Sequence, residues 1–395
     1  MKVRIADRLK KLPPYLFIEI DKMKKKAQEE GVDIIDLGIG DPDLPTFTPI
    51  IDKMSEEIKK AENHRYPLGT GLKDFKISVA KWYEKRFNVP LSPNDEVLAL
   101  IGSKEGIGHI PLSFINPGDL VLVPDPGYPV YKGGVIFAGG IPYIMPLLEE
   151  NNYLPSLKRI PIKVLKKAKM IFLNYPNNPT SSVATKEFFE EVIYFAKKYN
   201  IIVCHDAAYS EVYYDGVKPI SFLEIKGSKD VGVEFHSFSK TFNMTGWRIG
   251  WVVGNKEIIS GLAKIKENLD SGVFHAIQRA AITALNLPDE FTDNLRKTYQ
   301  ERRDCLVNGL KSIGWQVNNP MATFYVWVKV PKSIISKKVK SPSTEMVKYL
   351  LSNAGIVSTP GVGFGKYGEG YIRMTLTSPV DRLKEALNRL KKLCL

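Results

Sequence analysis

The chain has 395 residues, of which 44% are hydrophobic and 25% charged, and its formal net charge is +13. This length and composition are typical of a globular protein with about two domains, which excludes a disordered or low-complexity chain. No apolar run approaches the roughly 18 residues of a membrane span, and three widely separated cysteines exclude a disulfide framework or a paired-cysteine metal site.

The basic charge has two interpretations: attraction of anionic substrates, or a lysine-rich solvated surface. The lysines are scattered and form no basic stripe, so we expect no nucleic-acid partner. The N-terminal residues keep their charges interleaved and lack a small-residue cleavage site. We therefore expect a cytoplasmic protein without a membrane anchor.

The hydrophobic pattern changes along the chain. Residues 14–29 predict a short helix, and residues 34–40 have strand character. Further on, short apolar runs lie at 97–101, 120–123, 141–145, 169–173, 201–205, 231–236 and 249–253. Amphipathic stretches between them include 104–115, 157–168 and 186–199, of which the last is the clearest helix.

Strands that alternate with helices predict an α/β domain, and continuous apolar runs are typical of parallel strands buried on both faces. We expect a large domain with a mostly parallel seven-stranded sheet between helices. A polar helix over 289–313, a strand over 323–330 and a helix over 343–354 predict a smaller α+β domain built from both chain ends. The predicted segments are 1–45 (arm and part of the small domain), 46–287 (large domain) and 288–395 (C-terminal small domain).

Polar side chains follow five of the apolar runs. In an open parallel sheet, ligands bind outside the carboxyl ends of the strands, so these side chains predict one shared site. After the first run, Gly102 breaks the strand and Ser103 begins a helix, whose free N–H groups suit a phosphate, although a plain helix cap is the commoner outcome. Ser237, Ser239 and Arg248 are further candidate phosphate ligands, and Arg248 alone would be an ordinary surface arginine.

Two ionisable residues also end apolar strands. Lys240 would be partly desolvated there, which lowers the pKa of its amine and permits Schiff-base chemistry, unless it merely extends to solvent. Asp206 needs a cationic partner, which is either a basic side chain or a ligand. A phosphate site, a desolvated lysine and an inward carboxylate together indicate pyridoxal 5'-phosphate (PLP) as the cofactor, and no metal.

Several motifs resemble those of the fold-type I PLP-dependent aminotransferases, class I/II, and most closely the bacterial LL-diaminopimelate aminotransferases. They are LPPYLF (12–17), GIGDPDLPT (38–46), IGSKEGI (101–107), PDPGYPVY (124–131), NYPNNPTS (174–181), EFHSFSKTFNMTGWRIG (234–250) and TPGVGFGKYGEGY (359–371). The resemblance implies that fold, and an enzyme that makes LL-diaminopimelate from tetrahydrodipicolinate and glutamate in lysine biosynthesis. A broader aspartate or alanine/glutamate aminotransferase remains the alternative.

The resemblance also implies residue roles. Lys240 resembles the lysine that holds the cofactor and shuttles the proton between Cα and C4′. Asp206 resembles the partner of the pyridinium nitrogen, Asn178 and Tyr209 the donors to the phenolic oxygen, and Tyr128 the aromatic that stacks on the ring. The resemblance extends to a phosphate cradle formed by Ser103, Lys104, Ser237, Ser239 and Arg248.

Arg373 resembles the arginine that clamps the substrate α-carboxylate, a bidentate contact that lysine cannot match. Tyr15 and Gly40 resemble substrate contacts, and Lys104, Tyr128 and Asn178 share that role. Tyr66 resembles a tyrosine that reaches the phosphate of a partner subunit, which implies a homodimer with shared active sites. Lys104 and Glu105 are the candidates for the distal charges of the substrate.

Overall fold

The computed structural model describes residues 1, 3–12, 16–67, 69–331 and 339–393, without the side chains of 16–19. The described α-helices are α1 Asp7–Lys10, α2 Leu16–Glu29, α3 Thr48–Glu57, α4 Lys73–Phe87, α5 Ser103–Phe114, α6 Pro129–Phe137, α7 Ile162–Leu165, α8 Lys186–Tyr199, α9 Phe238–Thr241, α10 Lys256–Leu269, α11 His275–Leu285, α12 Asp289–Ser312, α13 Pro342–Ala354 and α14 Val380–Lys391. None of these helices combines the length and apolar character that crossing a bilayer requires.

The central sheet has seven strands in the order β2-β8-β7-β6-β5-β3-β4. Their bounds are β2 Val97–Leu100, β3 Leu120–Asp125, β4 Ile141–Pro146, β5 Ala168–Asn174, β6 Ile202–Asp206, β7 Gly232–Ser237 and β8 Gly250–Gly254. All neighbouring strands are parallel except β8, which runs antiparallel to both β2 and β7. The fold is therefore α/β with a mostly parallel sheet, as predicted.

Helices cover both faces of this sheet. One face packs against α4, α8 and α11, and the other against α5, α6 and α10. Alternate residues of one strand enter different cores, for example Ala99 on one side and Leu100 on the other. Burial on both faces explains why the strands are mainly apolar, and why all seven apolar runs of the sequence correspond to strands of this sheet.

The remaining strands form two small sheets. Strands β11 (Thr359–Pro360), β12 (Tyr371–Thr375) and β9 (Tyr325–Lys329) are antiparallel, in that order. Strand β1 (Ile35–Asp36) pairs in parallel with β10 (Ile356–Val357), and Ile35 and Leu37 share a core with α12, α13 and α14. The N-terminal segment thus packs on C-terminal elements, while the division at residues 45 and 287 stays a prediction.

One expected helix is much shorter than its amphipathic pattern. Over 157–168 the chain forms a 3-10 turn at Leu157–Arg159, and α7 begins only at Ile162. Pro161 separates the two, because proline lacks the N–H that a continuous helix would need there. The structure therefore corrects the helical interpretation of this stretch.

Candidate active site

The carboxyl ends of three neighbouring parallel strands open into a cavity of about 330 Å³. Asn174 is the last residue of β5, Asp206 of β6 and Ser237 of β7, so the parallel direction of these strands brings the three side chains to one edge. The cavity is lined by Ile39, Gly40, Ser103, Lys104, Tyr128, Tyr131, Asn174, Asn178, Asp206, Ala208, Tyr209, Ser237, Ser239, Lys240, Arg248, Tyr325 and Arg373.

Asp206 is a buried carboxylate that has no basic side chain in ion-pair contact within the described residues. Its Oδ2 accepts a hydrogen bond from the Tyr131 hydroxyl at 2.8 Å, and its Oδ1 accepts the Ala208 N–H at 3.3 Å. Burial raises the pKa of Asp206, and the Tyr131 hydrogen bond only partly opposes this. A ligand that presents a cationic N–H would compensate the buried negative charge of Asp206.

Lys240 lies on the four-residue helix α9, which begins where β7 ends. Its Nζ donates to the Gly40 carbonyl at 3.2 Å and lies 5.5 Å from the centre of the Phe324 ring. Burial lowers the pKa of Lys240 to about 8. The amine is therefore far more often neutral, and hence nucleophilic, than that of a solvated lysine.

Two glycines make room for a set of anion-binding groups in another part of the cavity wall. Gly102 has φ +73 before the first residue of α5, and a Cβ there would lie 2.5 Å from Arg248 Nη2. A Cβ on Gly250 would lie 2.8 Å from the Ser103 backbone nitrogen. Ser237 and Ser239 complete this wall, so a helix start, hydroxyl groups and a guanidinium surround one space, as a phosphate requires.

Arg373 faces the cavity from β12 and is 3% exposed. One Nη donates to Asn178 Oδ1 and the other to the Gly38 carbonyl, both at 2.8 Å. The guanidinium lies between two rings, with Cζ 4.1 Å from the centre of Tyr325 and 4.8 Å from that of Phe364. This packing holds the planar cation in one orientation, which suits bidentate binding of a carboxylate.

Most of the predicted site residues line this one cavity; they are Gly40, Ser103, Lys104, Tyr128, Asn178, Asp206, Tyr209, Ser237, Ser239, Lys240, Arg248 and Arg373. Tyr66 does not line it and is 82% exposed. Tyr15 lies outside the described residues. Glu105 does not line it either, because its carboxylate binds His109 at 2.9 Å and Lys266 of α10 at 3.0 Å, on the side of α5 that faces α10.

Sequence reasoning missed two tyrosines of the cavity. Tyr131 binds Asp206, and it lies three residues after Tyr128, a helical spacing that could have suggested a shared face. Tyr325 lies in a strand whose apolar pattern indicated only a core position. Nothing local distinguishes it, because its partner Tyr209 is 116 residues away in the sequence.

The cavity fits PLP on its own chemistry. The unpaired Asp206 carboxylate suits a pyridinium N–H, the buried Lys240 amine suits the aldehyde, and the wall around Arg248 suits the phosphate. These three features lie in one cavity at the edge of a mostly parallel sheet. They define a PLP-dependent enzyme of fold type I.

Comparison with known proteins makes this class more specific. The family model described as aminotransferase class I and II matches residues 32–390. The LL-diaminopimelate aminotransferase of Aquifex aeolicus is 54% identical over 98% of both chains, and that of Halothermothrix orenii is 53% identical over 98% of this chain and 97% of its own. The solved structure of substrate-bound BacF from Bacillus subtilis superposes with a TM-score of 0.93 at 39% identity, covering 100% of this chain and 98% of that one.

The chain belongs to the class I and II aminotransferases. It is a transferase, its cofactor is PLP, and amino acids and 2-oxo acids are the substrates expected of such an enzyme. The sequence-based predictions of family, fold class and cofactor are confirmed.

Proposed function

We propose that this aminotransferase exchanges an amino group between LL-2,6-diaminopimelate and 2-oxoglutarate, and that in lysine biosynthesis it converts tetrahydrodipicolinate and glutamate into LL-diaminopimelate. The observation that carries the proposal is the name shared by the relatives that align with almost the whole chain. The cavity supports a substrate with two carboxylates, because the cationic side chains Arg373 and Lys104 both line it.

Lys240 is the proposed catalytic residue. Bound PLP supplies an aldehyde that takes up the amino group and a ring that accepts electrons when the substrate loses its Cα proton. Lys240 holds the cofactor and, once released, carries that proton. With a pKa of about 8, about half of its amine is neutral at pH 8, against less than about 1% for an ordinary lysine.

The other lining residues hold the reactants in place. Asp206 would accept a hydrogen bond from the ring N–H of the cofactor, Asn178 and Tyr209 would donate to its phenolic oxygen, and Tyr128 would stack on its ring. Ser103, Lys104, Ser237, Ser239 and Arg248 form the phosphate cradle. Arg373 binds the α-carboxylate, and its contact with Asn178 links the carboxylate clamp to the cofactor side of the cavity.

We propose a homodimer in which Tyr66 completes the cradle of the partner subunit. Its 82% exposure and its position outside the cavity of its own chain support this assignment. Mixed dimers of Tyr66→Ala and Lys240→Ala chains test it. If Tyr66 acts across the interface, one site of each mixed dimer is intact and activity returns; if it acts within its own chain, both sites stay defective.

One observation favours the broader aspartate or alanine/glutamate aminotransferase as the second candidate. Among the described lining residues Asp206 is the one carboxylate, and it is assigned to the cofactor. Glu105, the residue expected from the sequence to bind a distal ammonium group, is bound to His109 and Lys266 instead. Within one subunit, the cavity therefore suits a substrate without a second ammonium group.

A single-turnover titration of the cofactor-loaded protein separates these candidates. LL-diaminopimelate, meso-diaminopimelate, aspartate, alanine and glutamate are added separately, and the visible band of the cofactor is followed as it takes up the amino group. Fast conversion by glutamate and LL-diaminopimelate alone supports the proposal. Comparable conversion by aspartate or alanine would instead identify a general aminotransferase.

A further inference from the structure

Tyr325, at the start of β9, contacts three separate parts of the cavity. Its hydroxyl lies 2.8 Å from that of Tyr209, and its ring lies 4.1 Å from the Arg373 guanidinium carbon. A Cβ on Gly40 would lie 2.2 Å from the Tyr325 hydroxyl oxygen, so only glycine lets the N-terminal segment pass there. The Tyr325 side chain thus connects Tyr209, Arg373 and the N-terminal segment at Gly40.

The backbone of Tyr325 is fixed from several sides. Its N–H donates to Thr323 Oγ1 at 3.0 Å, and its carbonyl accepts the Ser181 hydroxyl at 2.7 Å. The residue pairs with Thr375 across the small sheet and is 3% exposed. The ring is therefore a rigid support.

We propose that Tyr325 is a positioning residue that sets the direction of the Tyr209 hydrogen bond and orients Arg373, an inference that rests on the proposed function. A tyrosine hydroxyl has one proton to donate. If Tyr209 donates it to the phenolic oxygen of the cofactor, the proton between the two tyrosines comes from Tyr325. A hydroxyl that accepts such a bond becomes a stronger donor itself.

Arg373, Asp206 and Asp41 act electrostatically on the two tyrosines, and Lys240 lines the same cavity. All of them remain when Tyr325 is replaced by phenylalanine, and the ring under Arg373 remains as well. The substitution therefore changes only the hydroxyl that supports Tyr209. Removal of that hydroxyl weakens the hydrogen bond that Tyr209 donates to the phenolic oxygen of the cofactor. That oxygen then carries more negative charge, which favours protonation of the nitrogen that links the cofactor to Lys240.

The test compares cofactor-loaded Tyr325→Phe with wild type and with Tyr214→Phe. Tyr214 is a matched control, because its buried hydroxyl donates to the Thr323 carbonyl and does not line the cavity. We expect Tyr325→Phe to raise the midpoint pH of the cofactor's visible band by about 0.3–1 unit, and Tyr214→Phe to leave it unchanged. An unshifted midpoint in Tyr325→Phe, or an equal shift in both variants, would overturn the inference.

The second role is tested with Tyr325→Leu, which also removes the ring beneath Arg373. We expect the KM for glutamate to rise about tenfold in Tyr325→Leu and to stay near the wild-type value in Tyr325→Phe. Equal KM values in the two variants would refute the support of Arg373. A wild-type protein without a visible band or any amino transfer would refute the proposed function instead, so the two failures are distinguishable.

Discussion

Glu234 is a fully buried carboxylate behind the active site, and its replacement by glutamine should destabilise the fold. It lies on β7 opposite His205 of β6. His205 directly precedes Asp206 at the end of β6, and Glu234 lies three residues before Ser237 at the end of β7. Five donors surround its two oxygens; they are the hydroxyls of Tyr83 (2.9 Å) and Ser221 (2.7 Å), the Phe222 N–H (2.8 Å), His205 Nδ1 (2.8 Å) and His236 Nε2 (3.1 Å).

The size of the effect follows from these contacts. A hydrogen bond to a charged group contributes about 1.5–3 kcal/mol and a neutral one about 0.5–1.5 kcal/mol, so five bonds lose about 5 kcal/mol when the charge is removed. Glutamine also removes the desolvation penalty of a buried charge, which offsets part of this loss. We therefore expect Glu234→Gln to lower the free energy of unfolding by about 2–4 kcal/mol.

Urea unfolding of the cofactor-loaded protein at neutral pH measures this difference. Glu267→Gln is the control, because this exposed glutamate lies on α10 and its replacement should change the free energy by less than about 0.5 kcal/mol. A Glu234→Gln protein as stable as the control would refute the reasoning.

The effect of Glu234→Gln also depends on pH. Burial alone would raise the pKa of Glu234, but hydrogen bonds from His205 and His236 outweigh burial and hold the pKa well below its usual range. A carboxylate with a depressed pKa in the folded state stabilises the fold above its unfolded pKa of about 4.3, and this contribution is lost as the pH falls. The difference in the free energy of unfolding between wild type and Glu234→Gln should therefore become smaller below that pH. Urea titrations at several pH values would measure this change.

Three further substitutions test the site itself. Arg373→Lys should lower kcat/KM for every amino acid about 10–100-fold, since a point charge replaces a bidentate contact, and steady-state kinetics on glutamate would measure it. Asp206→Asn should lower kcat about 100-fold or more, because the N–H of the cofactor ring would then face a neutral amide. The urea midpoint of the cofactor-free protein should stay within a few tenths of a molar of the wild-type value. Lys104→Met should lower kcat/KM more for amino donors with a second carboxylate than for alanine. Equal losses for glutamate and alanine would count against binding of the second carboxylate by Lys104.

The order of helices and strands was predictable from the sequence wherever burial produces a local hydrophobic pattern. The apolar runs predicted all seven strands of the large sheet, and the 3.6-residue period predicted α8 at residues 186–199, as the structure has it. The antiparallel direction of β8 was not predictable, because an apolar run carries no information about strand direction. The cytoplasmic location remains a prediction from the sequence.

The site was predictable only where residues follow strand ends or known motifs. Lys240, Asp206 and Arg373 belong to such motifs, and they line one cavity. Tyr131 and Tyr325 were missed because their roles depend on contacts across 75 and 116 residues of sequence. The exclusion of Glu105 depends on Lys266, which is 161 residues distant. Long-range pairing of this kind leaves no periodic signal in a single sequence.

The central claim is that Lys240, in the cavity at the edge of the large sheet, holds the cofactor. The most direct measurement is borohydride reduction of the cofactor-loaded protein, followed by proteolysis and mass spectrometry of the labelled peptide. The account predicts a single pyridoxyl group on Lys240, and no label in a Lys240→Ala protein. A label on another lysine of the wild-type chain, or none at all, would contradict it.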